Sequence, residues 1–305
     1  MKRLLVLGAL LALAPAAGAA STRSVTAPAA VIALAADGTR VAYAVGFSKG
    51  DCNRVRLWDL DTTGVTRLGR GTSCVRTSTG TTITAIALAG RRALWLHVTG
   101  GNIREWSLWT ATGHLPTARR LRFARADADG PSPIVLGDGD SSRLGDMLPY
   151  AVGRSVTAIS VTGARRFAWT APARVVALDT KDGELAVATE GGLVTILDAG
   201  GRVLRTERFG VEIDAVRITG DALVVQSGRT LELRGGRTAS YSLVAGVKLA
   251  DADGARAVLV GGGKVRTLDL ESGRGGVAAS GSFARLGRST LAFASGRTVS
   301  VRSVP

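Results

Sequence analysis

Apolar runs of about four to seven residues, each broken by a glycine-containing turn, repeat along most of this chain. The clearest copy runs from Arg174 to Phe209. It reads RVVAL, DTKDG, ELAVAT, EGG, LVTILD, AGG and RVLRTERF, which predicts four short strands and three tight turns. The strands are designated a to d in chain order. No window beyond the first twenty residues carries the i, i+3, i+4, i+7 pattern over three turns, and 40 glycines punctuate the sequence. The prediction is an all-β protein.

Six further copies flank this one. The first has VIAL from Val31, TRVAYAV, RVRLWDL and GVTRLG; the second has ITAIAL from Ile83, RALWLHV, IREWSLW and a basic strand ending LRF. The third is irregular, with PIVL, a long polar turn, MLPYAV, SVTAISV and RRFAWT. The fifth runs IDAVRI, ALVVQS, TLELR and TASYSL, and the sixth GVKLA, ARAVLV, KVRTLDL and a faint strand near Gly276. The seventh has only SFARL, STLAFAS and TVSVRSV before Pro305. The glycine after strand a falls at 38, 90, roughly 145, 183, 220, 254 and 287, a spacing that suits propeller blades with loop insertions. The expectation is a single β-propeller of seven four-stranded blades over residues 21–305. Thr22 to Ala27 (TRSVTA) is an orphan extended segment ahead of the first copy, and as the missing strand d it would close the ring.

A signature closes strand c: VRLWDLDTTG from Val55, VTILDAGG from Val194 and VRTLDLESG from Val265. With its Trp58-Asp59 dipeptide, the first copy resembles the strand-c ending of WD-repeat propellers and is similar to the repeats of quinoprotein-like propellers. The Gly-His opening of WD blades and the tryptophan-docking repeat of quinoprotein dehydrogenases are both missing. The resemblance implies the fold and a generic role as a rigid platform for binding.

Composition adds a compartment. Lys2-Arg3, the apolar run Leu4 to Ala14, Pro15 and the small residues Ala16 to Ala20 read as a secretory signal peptide over residues 1–20. The apolar run is too short to span a bilayer, so the expectation is a secreted or periplasmic chain without a transmembrane segment. Net charge is +15, and removing Lys2 and Arg3 takes it to +13. Cys52 and Cys74 then meet oxidising conditions, and a disulfide between them is expected. It would close a loop of roughly twenty residues, worth about 3 kcal/mol.

Candidate chemistry is sparse. His97 and His114 fall on opposite faces of a propeller, and no Cys-x-x-Cys accompanies them, which is a poor zinc inventory. The acidic stretches DADG at 127–130 and DGD at 138–140 also fall on opposite faces, and ADADG at 250–254 repeats the first as a turn. Turn formation by Asp-Gly therefore accounts for them better than calcium. Trp58, Trp95, Trp106, Trp109 and Trp169 are expected between blades. Arginines gather on outer strands (Arg119, Arg120, Arg122, Arg125, Arg165, Arg166, Arg202, Arg205, Arg208), where charge discourages edge pairing and could also meet a polyanion. No nucleophile elbow, phosphate loop or metal spacing is present. No cofactor is implied, and export with only 14 aromatics disfavours nucleic acid.

In a propeller the b–c and d–a loops share one face, and the a–b and c–d turns share the other. The long loops Gly46 to Asn53, Arg70 to Gly80 and Ala124 to Ser132 all lie on the first face. Lys49, Asp51, Arg54, Arg70 and Arg76 would cluster there beside the cysteines as a mostly basic binding patch. The leading expectation is an exported, non-enzymatic, monomeric module for a protein or an anionic cell-envelope polymer. The alternative is a hydrolase or oxidoreductase with a site scattered around the central channel.

Overall fold

The computed structural model describes residues 22–46, 54–69, 80–287 and 289–304. They form seven four-stranded antiparallel sheets, each in the order a-b-c-d. The innermost strands are Val31–Asp37, Thr81–Ala89, Ile134–Leu136, Val175–Lys181, Ala215–Thr219, Lys248–Asp253 and Phe283–Gly287, in blades one to seven. Thr22–Thr26 pairs antiparallel with Thr298–Ser303, from Thr22 opposite Arg302 to Thr26 opposite Thr298, and is strand d of blade seven. Ala27 extends the closure by exchanging hydrogen bonds with Arg297: its N–H reaches the Arg297 carbonyl at 2.7 Å, and its own carbonyl accepts Arg297 Nε at 3.0 Å.

The burial pattern explains why the middle strands read as unbroken apolar runs. A strand between two neighbouring blades is covered on both faces, so every residue of Val55–Asp59 is buried. Outer strands are covered less, and Val203–Arg208 alternates exposed and half-buried positions. The cores lie between blades. Tyr43 and Trp58 of blade one pack on Val299 and Val301 of blade seven, while Trp95 of blade two packs on Leu57 and Leu68 of blade one. Trp106 meets Leu148 and Tyr150 between blades two and three, and Trp169 packs against Val175 and Leu185 between three and four. Trp109 joins the core between blades one and two, half-buried like Trp169, so all five tryptophans pack between blades, and each fully buried one contributes about 2–3 kcal/mol.

The aspartate of the repeated signature has a local task. Asp59 Oδ1 accepts the N–H groups of Asp61 and Thr62 at 3.1 and 3.3 Å. Asp198 does the same for Gly200 and Arg202, and Asp269 for Glu271 and Ser272. In all three copies the side chain caps the c–d turn. Asp59 also pairs with Arg40 (3.2 Å) and with Arg91 of the next blade (3.1 Å). Burial would raise its pKa, but those two hydrogen bonds and two guanidinium groups hold it below the ordinary value.

Two blades depart from the common plan. Blade two has strands of 9, 9, 10 and 9 residues. Blade three replaces the two-residue a–b turn with the insert at residues 137–147, between Leu136 and Leu148. Small residues let this insert lie flat over its neighbours. A Cβ on Gly139 would collide with the Leu88 carbonyl, and one on Gly145 would stand 2.6 Å from Gly183 Cα.

Candidate functional site

Strand a lines the channel, so its register decides what faces the axis. The pairs that close the a–b hairpins are Asp37–Arg40, Ala89–Arg92, Lys181–Glu184, Thr219–Ala222, Asp253–Arg256 and Gly287–Thr290. Two residues before each of these closing positions stand Ala35, Ala87, Asp179, Arg217, Asp251 and Arg285. The charge alternates around blades four to seven, while Ala35 and Ala87 of blades one and two are buried between blades. Blade three adds Asp138 from its insert.

These five charges close the channel. Arg217 Nη2 lies 3.2 Å from Asp138 Oδ2, Nη1 lies 3.8 Å from Asp179 Oδ1, and Nε lies 3.8 Å from Asp251 Oδ1. The Arg217 guanidinium also donates to the Ala250 carbonyl through Nε at 3.1 Å and Nη2 at 2.8 Å. Arg285 donates to Ala250 at 2.9 Å, and its Nη2 stands 3.4 Å from Asp138 Oδ1. Burial pushes the Asp179 carboxyl up to about 8, with the neighbouring Asp138 and Asp251 adding to the shift against Arg217. Burial, then Asp138, likewise raises Asp251. For Arg217 burial alone would lower the pKa, but the three carboxylates outweigh it and the net direction is upward.

Above this plug, on the a–b face, the channel opens into a recess of about 370 Å³. Seven aspartates line it (Asp37, Asp138, Asp140, Asp179, Asp182, Asp251 and Asp253) against Arg143, Lys181 and Arg285. The rim is firmly held. Asp140 accepts the N–H groups of Ser142 (2.7 Å) and Gly183 (3.2 Å), and Lys181 pairs with Asp253 across blade five. Asp37 accepts the Gly90 N–H at 2.5 Å, and burial raises its pKa above the ordinary value. Below the plug a second cavity of about 230 Å³ reaches Ala33, Thr84 and Ile86.

Two acidic stretches are corrected by this geometry. DGD at 138–140 is more than a turn, since Asp138 reaches two arginines in the channel while Asp140 ties the insert to blade four. In ADADG, Asp251 belongs to strand a and faces the plug, and only Gly254 sits in the turn. Asp-Gly proximity hides this because strand and turn share the same dipeptide. Aligning the seven blades on their hairpin-closing pairs would have exposed the alternating Asp and Arg.

Of the basic patch expected on the b–c face, Lys49, Asp51, Arg70 and Arg76 lie outside the described residues, as do Cys52 and Cys74. Arg54 is described, and it is buried, 7% exposed. Its Nε donates to Val45 O at 3.1 Å and its Nη1 to Thr81 O at 3.4 Å, and burial lowers its pKa. His97 lies next to it, with Nε2 2.6 Å from Thr81 Oγ1, and burial, then Arg54, brings its pKa down to about 4. His114 is exposed in the c–d turn of the same blade, away from His97. Among the described residues no group of three or more His, Cys, Asp or Glu is placed to hold a metal ion. No described helix is long and apolar enough to cross a membrane.

No family model matches the chain, and no curated protein matches it in sequence. Solved structures do match. A chain of the mitotic checkpoint complex crystal structure superposes with a TM-score of 0.56 at 15% identity, covering 99% of each chain. The β-propeller domain of Cps50 (Swd1) from Myceliophteria thermophila gives 0.58 at 16% identity, over 93% of this chain and all of that one. BamB from Moraxella catarrhalis gives 0.52 at 13% identity, over 90% and 85%. At these identities the likeness is one of fold, and the chain is a seven-bladed β-propeller closed by its N-terminal strand.

Proposed function

We propose that the chain is an exported, non-enzymatic binding module whose channel mouth accepts a basic, protruding segment of a protein partner. One observation carries the reading. In a chain of net charge +15, seven aspartates surround one recess of about 370 Å³ at the mouth of a closed channel. Clustered carboxylates in a low-dielectric funnel focus negative potential and select partners by charge. The plug below supplies a floor in which Arg217 and Arg285 donate to the Ala250 carbonyl and face Asp138, Asp179 and Asp251. The propeller neighbours support a binding or scaffold role in general. Export rests on the leader at residues 1–20, and N-terminal sequencing of the secreted chain should begin near Ser21. In that compartment Cys52 and Cys74 are proposed to pair, which a mass measurement with and without reductant decides.

The test uses a fluorescent peptide rich in lysine and arginine, titrated into the protein at low and high salt. Binding should weaken at least tenfold in the D182N/D253N variant, with a shallower salt dependence. Equal affinity for parent and variant would remove the recess from the reading.

A second reading, a hydrolase assembled at the channel, is favoured by the burial that raises the pKa of Asp179, as a general acid requires. Against it, Oδ2 of Asp179 is occupied by the Ile218 N–H at 2.7 Å, and Oδ1 faces Arg217. Loss of a measured turnover in D179N, with folding intact, would establish it.

A further inference from the structure

Blade two carries a second surface, of opposite charge and unrelated to the recess. Its outer strand, Arg119–Asp127, has nine residues, whereas the outer strands of the other blades have four to six. It is the last strand of its sheet, so one edge of its backbone faces outward, and no described segment pairs with that edge.

The side chains along it are organised rather than merely solvated. Arg120 stacks 5.3 Å from the Phe123 ring centre and 5.8 Å from that of Trp109, and Arg125 stacks 5.6 Å from Phe123 on the same face. Arg122 lies 5.4 Å from the Tyr150 ring on the opposite face. Phe123 remains 44% exposed between its two arginines. Glu105 pairs with Arg125 at 2.7 Å, and no described carboxylate lies within ion-pair distance of Arg119, Arg120 or Arg122.

Charges that only discourage edge pairing gain nothing from being fixed on aromatic rings. Arg122 donates one bond to the Leu121 carbonyl at 2.9 Å and Arg125 is taken by Glu105. The stacked Arg120, by contrast, keeps its hydrogen-bonding fork for a carboxylate and loses less side-chain freedom on binding one. We propose that this strand docks an acidic, extended polypeptide segment, which adds to blade two as a fifth strand. Backbone pairing would supply affinity, and alternating positions would supply specificity. Successive same-face residues of a strand lie about 6.8 Å apart. The register shift between Leu108 and Trp109 brings Arg120 onto the face of Phe123 and Arg125, so an acidic side chain of the incoming strand would meet Arg120 with an apolar one over Phe123.

The probe is a labelled nine-residue peptide whose successive same-face positions read glutamate, valine, glutamate, with threonine at the positions between, titrated by fluorescence anisotropy against the full chain. Saturable binding is expected, weakened at least tenfold in R120S/R122S and unchanged in D182N/D253N. Both substituted arginines are exposed, and an unchanged melting temperature would show that the variant is folded. Methylating alternate backbone nitrogens of the peptide should abolish binding. Absence of binding overturns the proposal. So does a methylated peptide that binds like the parent, or inorganic polyphosphate that binds with the same R120S/R122S dependence while the peptide does not. The last result would make the strand a polyanion patch instead.

Discussion

Asp179 Oδ2 accepts the Ile218 N–H at 2.7 Å, so a carboxylate on the inner strand of blade four fixes the residue that follows Arg217 on blade five. The same device joins blade six to seven, where Asp251 accepts the Leu286 N–H at 2.8 Å beside Arg285. Each aspartate both positions the next blade's backbone and faces Arg217, which stands between them on blade five. Staggering the inner strands and closing the channel are thereby one set of interactions.

Removing Arg217 should expose how much those carboxylates cost without it. R217M keeps the length of the side chain but leaves Asp138, Asp179 and Asp251 crowded and short of a cation. The expected loss is about 3–5 kcal/mol in urea unfolding. Adding D179N should recover part of it above about pH 8, because the double variant has one carboxylate fewer to bury without a cation. A double variant less stable than R217M would show that Asp179 acts through Ile218 alone.

The plug also sets an alkaline limit. Because Asp179 has a raised pKa, the folded chain holds a proton that the unfolded chain releases above the ordinary carboxylate range. That contribution is fully present below about pH 4 and is lost as pH rises to about 8, by about 1.4 kcal/mol per unit at most. Asp251 and Asp37 shift in the same direction. Unfolding free energies measured from pH 6.5 to 8 should fall in the parent and flatten in D179N.

His97 acts on the acid side with the opposite sign. Its folded pKa of about 4 lies below the ordinary 6.5, so the unfolded chain binds a proton that the folded chain refuses. Stability is therefore lost as pH falls from 6.5 toward 4, which opposes the gain from Asp179 in the same window. H97Q should raise relative stability at pH 4.5 while changing little at pH 7.5. A parallel offset at both pH values would mean that His97 does not stay neutral when folded.

Ring closure gives a prediction independent of charge. Deleting residues 22–27 removes the strand paired with Thr298–Ser303 and leaves blade seven with three strands. It also uncovers Val299 and Val301, which face Tyr43 and Trp58 in the first inter-blade core. The truncated chain should melt at least about 10 °C lower than the parent, given 4–8 °C per kcal/mol for small domains and somewhat less here. Melting within a degree of the parent would show that the strand adds nothing.

The order of strands, the number of blades and the strand that closes the ring were legible in the sequence. Alternation, turn glycines and repeat spacing are local properties, and a blade is folded by contacts close in sequence. The turn-capping aspartates were legible for the same reason, since Asp59, Asp198 and Asp269 act within three or four residues. The tertiary structure alone decided that Asp138, Asp179, Arg217, Asp251 and Arg285 meet. They come from five blades and converge only because closing the ring brings every inner strand to one axis. It also decided which side of the ring carries the acid-lined recess. The lengths of the b–c and d–a loops pointed to one face, but the insert of blade three and the acidic a–b turns built the recess on the other. Loop length is written in a segment, whereas a cavity is what neighbouring segments leave unfilled.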